Sequence, residues 1–182
     1  VPCGIQERGV SSISELLGRP VELDEVAEKV AAKFGEVFEA ELEVRGMDME
    51  TISVAVLRPS PEGPMALVLD RRPDQGGFPQ IVTGKIKPGE RPIEAARREL
   101  LEETGLVADV RSLDYVHAFG MREAPFFVRE HAFAAFVPED ARVEPNPDEH
   151  VGARWLPLEE AIAEIPFRGL VRALRLAAAL GV

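Results

Sequence analysis

The chain has 182 residues, 46% of them hydrophobic, with one cysteine and a formal net charge of −11; that is one domain of ordinary size with a real core, plus an appendage. The acidity argues against a nucleic-acid backbone as the main partner, since phosphates want a basic surface, and no apolar run reaches the span of a membrane helix. Cys3 alone permits no internal disulfide, and with no secretory signal in view a cytoplasmic protein is the default.

The first elements are helical. Ser12 and Glu15 have capping-box spacing, and Gly18 stops the short helix that they begin. Leu23, Val26, Ala27, Val30, Phe34, Val37 and Phe38 then form an apolar stripe at helical spacing. That stripe needs a cover, either the remainder of the chain or a second copy in a homodimer. The character of the sequence changes near residues 40–50, which sets an expected boundary between 1–45 and 46–182.

Beyond it the pattern turns to strands. Thr51–Leu57 and Met65–Leu69 read as strands around the turn-rich 58–64, and Gln80–Thr83 is a short strand that delivers the chain to Gly84. Pro88-Gly89 marks a turn, Pro92 suits a first helical turn, and Ile93, Ala96 and Leu100 give that helix a buried stripe ending at Gly105. Asp114–Phe119, Glu130–Val137 and Val151–Leu156 read as strands. Helices follow from Pro157 and from Gly169 to Leu180.

The chemistry concentrates on the helix after Gly84. Glu99, Glu102 and Glu103 stand at i, i+3 and i+4, so three like charges crowd one face, expected opposite or beside the apolar stripe. Such a run is usually a solvated helix face. Behind a glycine-containing loop it is better read as a site for a hard divalent ion and a phosphate-bearing ligand. The negative charge is no obstacle to a nucleotide, because a bound metal reverses the local sign.

Gly84, Glu90, Arg98-Glu99-Leu100, Glu102-Glu103 and Gly105-Leu106 at their spacing resemble the Nudix box, with every defining position filled. The resemblance implies an α/β/α sandwich with a mixed sheet, and hydrolysis of a phosphoanhydride in a nucleoside diphosphate-linked substrate with Mg²⁺ or Mn²⁺. It also implies that Glu99, Glu102 and Glu103 hold metal, with the Gly84 carbonyl completing the set, and that a carboxylate orients or deprotonates the water. Glu90, Arg98, Gly84 and Gly105 are then structural members of the box. Glu149 before the Trp155-Leu156 strand is similar to a further ligand or base found in several branches, with Asp148 as fallback. Pro79-Gln80-Ile-Val-Thr-Gly84 resembles the segment before the box in the dihydroneopterin-triphosphate and dATP pyrophosphohydrolase branch, with Pro79 in place of that branch's Trp.

Other residues are candidates of lower rank. Arg71 and Arg72 suit charge-assisted contacts to phosphate. Phe78, Phe119, Phe126 and Phe127 suit either base stacking or the core, and His117 and His131 read as structural. The segment 1–45, with Pro2-Cys3-Gly4-Ile5, resembles the C-terminal end of the lipoate-pathway octanoyltransferase, in which that cysteine is the acyl-accepting nucleophile. The segment supplying that enzyme's catalytic lysine is not in this sequence, so the chain reads as the tail of a fusion in which Cys3 is inert. A non-catalytic nucleotide-sensing module is the remaining alternative; loss of Glu102 or Glu103 would mark it, and both are present.

Overall fold

The computed structural model describes residues 11–42, 49–121 and 126–181. The chain divides into two compact units, Val1–Arg45 and Gly46–Val182. In the first, α1 (Ile13–Leu17) starts at Ser12, whose hydroxyl accepts the Glu15 N–H at 3.1 Å, and ends at Gly18 in the left-handed region. Helix α2 (Leu23–Phe38) carries the expected stripe, with Phe34 and Phe38 in ring contact at 4.3 Å. Within that unit no described element covers Val30, Val37 or Phe38. Cys3 lies outside the described residues.

The second unit is built on a seven-stranded mixed sheet. Its strands are β1 (Met49–Arg58), β2 (Met65–Arg71), β3 (Pro79–Gln80), β4 (Val82–Lys85), β5 (Val110–Met121), β6 (Phe126–Phe136) and β7 (His150–Pro157). The order is β3-β2-β1-β6-β5, with β4 also on β1 and β7 also on β2. Among the described strands only the β1–β6 pairing is parallel. The run expected as one strand before Gly84 is two short ones, because Gln80 registers with Leu69 of β2 whereas Val82 registers with Val54 of β1.

Period-two alternation gives each face its own core. On one face Ile52, Val54, Val56, Leu67 and Leu69 meet Ala95, Ala96 and Leu100 of α3 (Pro92–Thr104). On the other, Ala55, Leu57, Ala66 and Val68 meet Ala161 of α4 (Leu158–Glu164) and Leu170, Ala173, Leu174 and Ala177 of α5 (Arg168–Ala179). The small side chains on α5 allow it to lie close to the sheet. This is the expected layered α/β/α sandwich.

Phe119 and Phe127 stand 40% and 38% exposed on β5 and β6, so neither belongs to the core. Nothing is described of the Phe126 side chain. Leu100 and Leu174 are buried to within 1% on opposite faces of the sheet. Truncating either to alanine is expected to cost about 2–5 kcal/mol of unfolding free energy, read from urea denaturation, with an equal loss from each face.

Candidate active site

The site is organised by how β4 hands the chain to α3. Lys85 pairs with Thr51 and Gly84 with Ile52, so the loop leaves from the middle of the sheet. A Cβ at position 84 would overlap the carboxyl carbon of Glu99, so a side chain there would push that carboxylate out of its place. Lys87 and Glu90 close the turn, the Lys87 N–H donating to the Glu90 carboxylate at 2.9 Å. Pro92 occupies the first turn of α3, and Gly105 ends it in the left-handed region with its N–H on the Leu101 carbonyl at 2.9 Å.

Arg98 joins loop to helix. Its Nε and Nη2 donate to the two Glu90 oxygens at 2.8 Å each, and Nη2 also reaches the Lys85 carbonyl at 2.9 Å. Nη1 donates to Glu99 at 2.6 Å and to Glu102 at 3.0 Å. One guanidinium thus serves three carboxylates in a partly buried setting. The Arg98 hydrogen bonds, with the Lys87 N–H behind them, hold the Glu90 carboxyl at about 2. Glu99 is shifted the other way, since burial raises it more than Arg98 lowers it.

Glu103 differs from the other two helix acids. Rather than standing opposite or beside the apolar stripe, it is 1% exposed and faces inward. Burial pushes its carboxyl up to about 7, despite a 3.0 Å contact between its Oε2 and Nε2 of the equally buried His150. Its Oε1 has no hydrogen-bond partner among the described residues. The reason is the register of α3: Leu100, Glu103 and Thr104 share the inward side.

His150 opens β7, and the preceding loop brings Glu149 beside it. Asn146 donates its N–H to the Glu103 carbonyl at 3.0 Å, and its own carbonyl receives the N–H groups of Glu149 and His150. Glu103, Glu149 and His150 each offer a ligand atom, all within 4.8 Å of one another. Two hard carboxylate oxygens, one of them a buried orphan, fit a divalent cation. His150 is a member of the site beyond those expected above, and its place next to Glu149 at a strand start is the signal for it in the sequence. Asp148 is exposed and has its N–H on the Asn146 side-chain oxygen.

The arginines before the box part ways. Arg72 is engaged, with Nε on Asp74 at 3.1 Å, Nη1 on the Pro147 carbonyl at 3.3 Å and its N–H on the Glu149 carbonyl. Arg71 has a buried Nε with no hydrogen-bond partner among the described residues, and its guanidinium lies 5.9 Å from the centre of the Phe78 ring, which meets Phe167 edge-on. On the far face of the sheet Glu130 is also buried, with its carboxyl pushed up to about 7 and His117 at 3.6 Å.

The NUDIX domain profile matches residues 49–174. An octanoyltransferase of Myxococcus xanthus is 42% identical over 98% of this chain, which spans 50% of that relative's length. An NAD-capped RNA hydrolase of Caenorhabditis elegans is 33% identical over 52% of the chain, covering 25% of the relative. The Escherichia coli dihydroneopterin triphosphate pyrophosphohydrolase superposes with a TM-score of 0.63 at 21% identity, covering 74% of this chain and 99% of that one. The NUDIX domain of Shewanella oneidensis NrtR, crystallised with ADP ribose, gives 0.64 at 14% identity, covering 83% and 98%.

A carboxyl whose folded pKa lies above its unfolded value takes up a proton on folding, so stability falls as pH rises between the two values. For Glu103 that window runs from about 4.5 to about 7, and Glu130 acts in the same sense. In EDTA the melting temperature of the second unit is expected to drop on going from pH 5 to pH 7.5. Glu103→Gln should flatten the drop and Glu103→Gln/Glu130→Gln should flatten it further, with Glu99 left as a smaller contributor in the same sense, as read by thermal melts across that range.

Proposed function

Since the chain belongs to the Nudix family, we propose that residues 46–182 hydrolyse a phosphoanhydride bond in a nucleoside diphosphate-linked substrate, with Mg²⁺ or Mn²⁺ as cofactor. The observation that carries this reading is the unpartnered Oε1 of Glu103 beside Glu149, in a box with no member missing. Glu99, Glu102, Glu103 and Glu149 are the proposed carboxylate ligands, with the Gly84 carbonyl, and Glu90 and Arg98 fix the loop that presents it. A metal held there would neutralise the pyrophosphate and lower the pKa of water bound to it.

The chain's own residues supply the rest. Water adds to one phosphorus as the bridging P–O bond breaks, the departing phosphate keeps that electron pair, and the water's proton passes to a carboxylate of the Glu103–Glu149 pair. Arg71, with its unpaired buried Nε, is the better placed of the two arginines to meet a phosphate oxygen. Arg72 instead fixes the loop that carries Glu149.

A second reading concerns residues 1–45. The Myxococcus relative matches across nearly the whole chain, which favours a protein that joins an octanoyltransferase-type segment to a Nudix domain. Cys3 has a role in that reading only with a full acyltransferase around it. A nucleotide panel with Mg²⁺, scored for released phosphate or pyrophosphate, tests the hydrolase. Glu103→Gln is expected to lower kcat at least a hundredfold, and Glu90→Gln to do so by loosening Arg98. Equal slow rates for wild type and Glu103→Gln on every substrate would leave a binding module, and an octanoyl adduct on Cys3 would restore the acyl-transfer reading.

A further inference from the structure

A cleft of about 500 Å³ lies on the α3 side of the sheet, and its wall abuts the end of α3, where Glu144 meets Thr104 and Gly105. Its floor is Leu67 of β2 with Ala153 and Trp155 of β7, which share one face because Leu67 registers with Trp155 and Leu69 with Ala153. Its wall is the loop 141–145, and Arg58 at the end of β1 closes one side. The volume falls in the range of small-molecule sites, roughly 300–1,000 Å³, and the mostly apolar floor with a few polar groups has their usual make-up.

The polar groups set the ligand's charge. The Arg58 guanidinium stacks 4.5 Å over the Trp155 ring and gives one N–H to the Glu139 carbonyl, yet its Nε is buried without a hydrogen-bond partner among the described residues. A buried donor left unpaired is costly, so this guanidinium at the cleft's edge has hydrogen-bonding capacity that the described residues do not use. Arg142 on the wall is exposed and makes no ion pair among the described residues. Against these two cations the lining has one acid, Glu144, so the cleft is locally positive in a chain of net charge −11.

We propose that this cleft is a second ligand site, taking a planar anionic molecule of nucleoside-monophosphate size. Its ring system lies over Ala153 beside the stacked Arg58–Trp155 pair, and its anionic group meets Arg58 and Arg142. The site shares no carboxylate with the box and does not depend on the hydrolase reading. The wall does run on to Asn146, whose N–H holds the Glu103 carbonyl.

Trp155 is the single tryptophan of the chain, so its emission reports this cleft alone. Adenosine 5′-monophosphate titrated into Glu103→Gln protein in EDTA is expected to change that emission with a saturable midpoint below 1 mM. Arg142→Ala, at an exposed position, should raise the midpoint at least about tenfold, the loss of one charge-assisted contact. Arg58→Met, which keeps an apolar stem by the ring, should raise it as well. Unaltered emission up to 5 mM, or the same midpoint in Arg142→Ala, overturns the site. Inorganic phosphate giving the same midpoint as the nucleotide overturns the planar ligand. Because hydrolysis is disabled throughout, a failed hydrolase reading leaves these outcomes intact.

Discussion

One guanidinium holds the box together. Three carboxylates on two segments, Glu90 in the loop and Glu99 and Glu102 on the helix, would repel one another at helical and cross-loop spacing. Arg98 lies among them and also takes the Lys85 carbonyl, so one side chain fixes helix, loop and strand end relative to each other. Its planar fork suits that task; a lysine ammonium offers no comparable set of fixed directions. The absence of a side chain at Gly84 is the steric counterpart, since a Cβ there would displace the Glu99 carboxylate that Arg98 holds. Charge compensation and close approach therefore depend on each other.

Glu103 is held by the opposite means. No arginine reaches it, and its only described polar partner is His150. Desolvation then governs, and the carboxyl sits near neutrality instead of being firmly ionised. Burial alone does not mark a reactive group, because Glu130 on the far face is raised to the same region beside His117. The difference lies in the neighbours. Glu103 has Glu149 close enough to share a cation, whereas Glu130 has a histidine and the hydroxyl of Ser53 nearby.

Much of this was legible in the sequence, for reasons that can be named. The box could be read because its chemistry is local: a loop and one helix place Glu90, Arg98, Glu99 and Glu102 with little help from the remainder of the fold. The strands were legible through period-two alternation, and the sandwich followed from strands bracketed by helices. What could not be read depends on distant packing. The inward turn of Glu103 is set by where α3 lies on β4 and β1, and spacing alone places i+3 and i+4 on one face without saying which lip is covered. His150 gains its meaning from a residue 47 positions earlier. The break between β3 and β4 arises because two strands compete for neighbouring stretches of one segment.

The loop 138–149 shows how these long-range effects reach the site. It leaves β6, and the N–H groups of Glu144 and Asn146 take the Thr104 and Glu103 carbonyls at the end of α3. Those carbonyls would otherwise lack partners at a helix terminus. Capping the helix thus also fixes the start of β7, because Asn146 in turn receives the Glu149 and His150 N–H groups. A substitution that frays the last turn of α3 therefore moves Glu149 and His150 as well as Glu103. The acidic pair is assembled by the ending of one helix, and its geometry is as secure as that ending.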